Sequence, residues 1–279
     1  MAFTTINNGS DYFNTKLYTG NGSTNVITGV GFQPDFTWLK SRSAVYEHAL
    51  FDAVRGTGKL LASNNSDAEY SGSNLLTAFG TDGFSLGDHA PLNNNTTTYA
   101  SWNWKANGAG SANTDGSINS TVSVNTTSGF SIVKWTGTGS NATVGHGLGS
   151  VPKIIIVKNL NASQPWWTYS EALGAGKQLR LNDTDVAGND GGVVWNNTAP
   201  TSSVFSVGTN AGSNGSSNNI IAYCFADVQG FSKMGSYTGN GNADGTFIYT
   251  GFKPAFVIFK KTDGVTNWGM LDNKRPGYN

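Results

Sequence analysis

The string YTGNG occupies residues 18–22 and returns at residues 237–241, with a looser copy, WTGTG, at residues 135–139. Short glycine-rich strings recur by chance in a chain with 37 glycines, so the flanks decide. Downstream of the three copies stand GFQPDFTWLK, LGSVPKIIIVK and GFKPAFVIFK, whose last lysines, Lys40, Lys158 and Lys260, are 118 and then 102 residues apart. KLLASNNSDA from Lys59 matches KQLRLNDTDV from Lys177 at the same offset of 118, and YASWNWKA from Tyr99 matches IAYCFADV from Ile221. Self-similarity at such a period constrains architecture before any single residue does. The expected organisation is an N-terminal attachment segment (residues 1–14), two full units (15–107 and 108–228) and a partial third (229–279).

Within a unit the signals are those of strands. FTWLK and KIIIVK are short, β-branched and aromatic, and each follows closely on a proline, Pro34 or Pro152, a residue tolerated at a strand's start but not inside a central strand. IIIV is a continuous apolar run, as expected of a strand covered on both faces. In SWNWK the two-residue period puts Trp102 and Trp104 on one face with Asn103 opposite, and Tyr223 and Phe225 take that face in the matching YCFA, with Cys224 where Asn103 stands. Such aromatic pairs are expected in the interior. The punctuation is TGNGS, TDGF, NDGG and GSNGSSNN, sequences whose glycines and asparagines accept turn conformations cheaply. The one helical feature expected is a short turn around FDAVRG and YSEALG. The fold class that follows is all-β, as tandem β-sandwich or jelly-roll-like repeats, with YTGNG a tight connection repeated because the unit is repeated.

Composition excludes several function classes. Net charge is zero and only 12% of residues are charged, so no basic face points to nucleic acid. No run approaches the 18 or so apolar residues of a membrane span. Cys224 is the only cysteine, which rules out an intrachain disulfide and a thiolate metal cluster. The N-terminus lacks the basic and apolar regions of a secretion signal.

Candidate chemistry is sparse. GTGK (56–59) and GAGK (174–177) lack the leading glycine and trailing Ser/Thr of a phosphate loop and read as shared turns. His48, His89 and His146 never pair at ligand spacing. NDTDVAGND offers Asp183, Asp185 and Asp190 as possible oxygen ligands for calcium, without the spacing of a helix-loop-helix site. Trp166, Trp167 and Trp268 follow the proline-led strands, at the place His48 takes in the first copy. If exposed, they would offer flat apolar faces for stacking on sugars. No cofactor is implied, and no recurring pair of carboxylates suggests glycoside hydrolysis.

Taken in order, TTINNGSDYFNTKLYTGNGS, GFQPDFTWLKSRS, HALFDAVRGTGK, TDGFSLG, YASWNWKA, NTDGSI and TVGHGLG resemble a repeat found in tail-fibre-like structural proteins of marine tailed bacteriophages, cyanophages among them. The resemblance spans nearly the whole chain; the second copy departs from it most, with WWTYSEALG where FDAVRG is expected. It implies a non-enzymatic virion component of β-sandwich repeats, acting in host attachment and surrounded by other virion proteins. It supplies no catalytic residues. The alternative is a carbohydrate-binding module or a depolymerase-like glycan-active protein, with a host surface glycan as ligand. A partial third repeat would leave strand edges open, from which a homo-oligomer is expected, a trimer by analogy with fibres, with residues 229–279 at an interchain contact.

Overall fold

The computed structural model describes residues 4–275, and the ends of the expected first and last segments lie outside the described residues. The fold is all-β. Nine strands form the first region: β1 (Phe13–Thr19), β2 (Asn25–Thr28), β3 (Phe36–Ser41), β4 (Ala49–Asp52), β5 (Lys59–Leu60), β6 (Tyr70–Ser71), β7 (Leu76–Gly80), β8 (Gly83–Leu86) and β9 (Thr98–Trp104). Ten follow in the second: β10 (Ser111–Asn113), β11 (Ser120–Asn125), β12 (Phe130–Thr136), β13 (Ala142–Gly145), β14 (Ile154–Asn159), β15 (Trp167–Ser170), β16 (Lys177–Arg180), β17 (Gly188–Asn189), β18 (Val204–Val207) and β19 (Asn219–Phe225). A hairpin of β20 (Phe256–Phe259) and β21 (Gly269–Asp272) completes the chain's strands among the described residues.

The main sheets of the two regions have the same order and register. In the first the order is β1-β9-β3-β4, and in the second β12-β19-β14-β15 forms the middle of an eight-stranded sheet. Phe13 and Phe36 flank Trp104 across β9, just as Phe130 and Ile154 flank Phe225 across β19. The hairpins match as well: Phe36 faces Asp52, Ile154 faces Ser170, and Phe256 faces Asp272. Each of the two main sheets packs on a smaller one, β2-β8-β7 in the first region and β13-β18 in the second.

Strand alternation sorts the side chains into three apolar clusters. Leu39 and Phe51 meet Ile27, Leu76, Phe84 and Leu86 inside the first sandwich. Ile155, Val157, Trp135, Trp167 and Tyr169 meet Val144, Phe205 and Val207 inside the second. The opposite faces of both main sheets turn toward each other, joining Phe36, Trp38, Trp102, Phe130, Ile132, Ile156, Trp166 and Tyr223 in a third, shared core. Phe256, Trp268 and Met270 pack against that shared core from the β20-β21 hairpin. Trp102 and Tyr223 are buried as expected of the aromatic pairs, while Trp104 and Phe225 are half-buried at its margin. IIIV is covered on both faces because Ile154 and Ile156 face one core and Ile155 and Val157 another.

The N-terminal segment does not stand apart from the domain. Phe13 and Asn14 already belong to β1, Ile6 is buried, and the Tyr12 ring meets Phe231 edge-on. The helical turns also fall elsewhere than FDAVRG and YSEALG, which form non-helical turns. One-turn helices α1 (Ala90–Asn93) and α2 (Ala211–Asn214) begin at Pro91 near the first position and at the Asn210 side-chain cap, respectively.

These helices explain the recurring turn. The last residues of α1 and α2, Asn93 and Asn214, are fully buried and clamp the turns of residues 18–22 and 135–139. Asn93 Nδ2 donates to the carbonyls of Ser23 and Gly87, and its Oδ1 accepts from the Asn21 backbone N–H. Asn214 Nδ2 donates to the carbonyls of Ser140 and Gly208, and its Oδ1 accepts from the Thr138 N–H. Glycine is required because the clamp is close: a Cβ on Gly20 would lie 2.2 Å from the Asn94 carbonyl oxygen, and one on Gly137 2.3 Å from that of Gly215. Gly22 and Gly139 also adopt φ of +70° and +71°.

Replacing Asn214 tests the clamp. Asn214→Ala leaves buried carbonyls and an N–H without partners and is expected to cost roughly 2–4 kcal/mol in chemical denaturation. Asn214→Asp keeps the shape but loses every donor, so it is expected to be at least as damaging; a milder effect would mean that volume, not hydrogen bonding, sets the site.

Candidate functional site

The polar groups that interrupt the shared core gather where one region meets the next. Asp52 closes β4, and the turn after it brings Arg55 back: the Arg55 N–H donates to Asp52 Oδ1 at 2.8 Å and Arg55 Nε to Asp52 Oδ2 at 2.5 Å. Both side chains are buried. From the second region Tyr223 donates its hydroxyl to the same Asp52 Oδ2 at 2.8 Å. The remaining guanidinium N–H groups reach the carbonyls of Lys59 and Leu50 and the carboxylate of Glu69. Burial alone would lower the Arg55 pKa, but Asp52, Tyr223 and Glu69 hold it above its ordinary value. Burial, then the Asp52 carboxylate, push the Tyr223 phenol well above its own.

The same device recurs at Asp272 and Arg275, with Trp102 of the first region donating Nε1–H to Asp272 Oδ2 at 3.0 Å. The second region has Ser170 and Leu173 at these places and no ion pair there. Burial raises the Asp272 pKa, but N–H donors from Arg275, Lys274 and Trp102 outweigh it and hold the carboxyl below its usual range.

Above Arg55 the junction opens into a polar groove of about 420 Å³ lined by Lys59, Glu69, Ser71, Lys134, Asn161 and Asn219, among others. Lys59 Nζ lies 3.5 Å from Glu69 and 2.9 Å from Ser71 Oγ. The groove presents ammonium and amide donors beside one carboxylate, with no aromatic wall. That arrangement suits a hydroxyl-rich ligand rather than an apolar one.

The residues singled out in the sequence do different work. Trp166 and Trp167 are buried, so neither offers a face to a sugar. Trp166 lies in the shared core and donates Nε1–H to the Ala62 carbonyl; Trp167 lies in the second sandwich under the Arg180 guanidinium, whose carbon is 5.3 Å from the ring centroid. Trp268 is half-buried and donates to the Arg180 carbonyl at 2.9 Å. Burial wins at Trp166 and Trp268 because these positions sit where one region meets the next, and at Trp167 because the strand alternation of β15 turns it into its own sandwich.

Asp183, Asp185 and Asp190 do not converge on a calcium site, and no cluster of three or more metal-ligating side chains occurs among the described residues. Asp190 is buried, with its two oxygens accepting the Val194 and Trp195 N–H groups, while Asp183 and Asp185 both pair with Arg180. His48 and His146 are likewise structural. His48 Nδ1 accepts from Trp38 Nε1–H at 2.8 Å, and His146 Nδ1 accepts from the Leu148 N–H at 3.2 Å. The buried Asp52, Arg55, Asn93 and Asn214 were missed in the sequence, although the D-x-x-R spacing shared by residues 52–55 and 272–275 carried a signal.

Comparison with known proteins returned one family, whose model matches residues 8–279 and is described as a domain of unknown function (DUF7483). No curated protein and no solved structure matches the chain.

Two measurements check the junction. Asp52→Asn strands a buried guanidinium and is expected to destabilise by about 3–5 kcal/mol. The double change Asp52→Ser with Arg55→Leu, which writes the second region's residues into the first, is expected to recover more than half of that loss. On pH, burial lowers the His48 pKa to about 4, with Lys40 and Arg275 adding to it, and lowers that of His146 as well. The folded state then binds fewer protons than the unfolded one, whose histidines titrate near 6.5. The contribution of these two histidines to stability is therefore expected to be flat above pH 6.5 and to fall as pH drops toward 4. In His48→Gln that fall should be smaller, as read by melting temperature across the window.

Proposed function

The chain belongs to the DUF7483 family, and we propose that it is a structural component of a phage particle, part of a tail fibre or surface appendage that takes part in host attachment. The observation that carries this reading is the division of labour between inside and outside. The buried ionisable groups, Asp52, Arg55, Lys158, His146 and Asp190, each hold strands, turns or regions together. The loops left outside are rich in Asn, Ser, Thr and Gly, groups that hydrate well and hydrogen-bond hydroxyls without chemistry of their own. The ordered sequence blocks that resemble tail-fibre-like proteins of marine phages point the same way. In this reading its neighbours are other virion proteins, and its assembly is a homo-oligomer.

The groove at the junction favours a second reading in which the chain binds a host surface glycan. Lys59, Lys134, Asn161 and Asn219 supply donors and Glu69 an acceptor along one face.

The two readings separate in one set of measurements. Antibody labelling of virions from the encoding phage is expected to decorate the tail or particle surface; unlabelled virions with the protein found only in infected cells would overturn the first reading. Host polysaccharide is expected to bind without any shortening of the polymer. Lys134→Ala with Asn161→Ala should weaken that binding about tenfold, or ~1.4 kcal/mol. Release of oligosaccharides would establish a depolymerase instead.

A further inference from the structure

The sequence contains five Asn-Gly pairs, at residues 8–9, 21–22, 107–108, 214–215 and 240–241. In such a pair the glycine backbone nitrogen is able to attack the asparagine side-chain carbonyl carbon, because glycine has no Cβ to keep the two apart. The attack needs a glycine N–H free of any acceptor and a turn loose enough to swing the side chain onto it, so local opening sets its rate. The fold withholds one or both conditions from four of the pairs.

Asn21 and Gly22 lie under the clamp of the first turn. Gly22 N–H donates to the Asn93 carbonyl at 2.8 Å, and the Asn21 amide accepts from Asn93 Nδ2 at 3.1 Å while donating to the Thr24 carbonyl. Asn214 is fully buried, and Gly215 N–H donates to the Ala211 carbonyl. Gly108 N–H donates to the Asp35 carboxylate, and Asn107 is tied through its own N–H to Ser123 Oγ. Asn8 caps the 3-10 turn Gly9–Asp11 through bonds to Ser10 and Asp11, and a Cβ on Gly9 would touch the Phe231 ring at 3.4 Å.

Asn240 and Gly241 escape these restraints. Gly241 has φ of +68° against +70° for Gly22, so the backbone bends alike in the two turns. Both residues are exposed, and Gly241 N–H has no acceptor among the described residues. A Cβ on Gly239 or Gly241 would meet nothing within 4 Å, so no side chain packs over the turn. The Asn240 amide bonds only within its own loop among the described residues, accepting from the Asn242 N–H and donating to the Asp244 carbonyl, each at 3.0 Å. Those partners move with the loop and do not anchor it. The middle copy of the turn carries Thr138 at this position with Gly139 at φ +71°, so the bend itself does not require the amide.

We propose that Asn240–Gly241 is a site of spontaneous deamidation in the folded protein. The bond that forms joins Gly241 N to Asn240 Cγ, and the bond that breaks joins Asn240 Cγ to Nδ2. Ammonia leaves, carrying the proton of the Gly241 N–H. Water then opens the cyclic imide at either carbonyl and gives aspartate or, with the chain rerouted through Cβ, isoaspartate. Formal net charge passes from zero to one negative charge per chain. The product also loses the donor to the Asp244 carbonyl and sets a carboxylate oxygen against it, which loosens the loop. The inference is independent of the virion reading.

The test is to age the 279-residue chain under native, mildly alkaline conditions and map its peptides for the amide-to-acid mass gain and for isoaspartate. In the folded chain Asn240 is expected to convert at least about tenfold faster than Asn21 in the same sample. In denaturant the two, each within TGNG, are expected to convert at similar rates, which isolates the fold as the cause. Asn240→Thr, the residue of the middle copy, is expected to abolish the first acidic species seen on isoelectric focusing and to leave the melting temperature unchanged. Conversion at Asn240 no faster than at Asn21 in the folded chain, or earlier conversion at any other pair, would overturn the proposal. So would a difference that persists in denaturant, since local sequence would then set the rates.

Discussion

Strands β9 and β19 are the elements on which the rest of the molecule depends. Each is hydrogen-bonded along both edges, by β1 and β3 or by β12 and β14. Each is also packed on both faces, inward against its own sandwich through residues such as Ala222 and Cys224 and outward into the shared core through Trp102 or Tyr223. A strand so placed satisfies its whole backbone and buries nearly every side chain, and it arrives last in its region. Everything before it has to wait: β1 and β3 are not neighbours until β9 comes between them. Long-range pairing of that kind is entropically costly to close, and the cost is met by two cores at once.

The polar contacts between regions are specific rather than strong. A buried ion pair such as Asp52 with Arg55 gains attraction at short range but loses the hydration of both charges, and the two nearly balance. The second region supports this within the same chain, since Ser170 and Leu173 occupy those positions and its hairpin still packs. The pair fixes which aromatic meets which hairpin, because Tyr223 and Trp102 each have one carboxylate to find. Most of the favourable free energy comes instead from aromatic and aliphatic area removed from water in the three clusters.

Much of this was legible in the sequence. The period-two alternation of SWNWK and the uninterrupted IIIV identified central strands, since only a strand between two cores is apolar on both faces. The recurring blocks fell at equivalent places in the two main sheets, down to Trp104 and Phe225 facing Phe13 and Phe130. What could not be read was the fate of side chains at the contacts between regions. Trp166 and Trp268 look like exposed loop aromatics when each unit is considered alone, and their burial depends on a neighbour that the local sequence does not describe, whereas Trp167 is buried inside its own sandwich as the first residue of β15. Asn93 and Asn214 were hidden for a similar reason. In a chain crowded with asparagine, one that is fully buried and donates to two carbonyls looks the same as one in solvent. Asp190 was misread as a metal ligand because an acidic loop and a carboxylate capping two backbone N–H groups share a composition.

The hairpin β20-β21 shows how the three cores divide the task of ordering the chain. Two strands with one face exposed are marginal alone, and the side bearing Val257, Phe259 and Leu271 is uncovered. The hairpin is ordered because its other face is shared: Phe256 packs on Phe13, Trp102 and Trp104, while Lys260 and Trp268 bond to carbonyls of the second region. Beyond the bonds of Lys233 and Met234 to Asp227, residues 233–255 lack such contacts and form no strand, although they contain the same YTGNG turn as the two clamped copies. The turn sequence therefore does not make its own strands. Glycine permits the bend, the buried asparagine holds it, and the central strand turns the two flanking segments into a sheet.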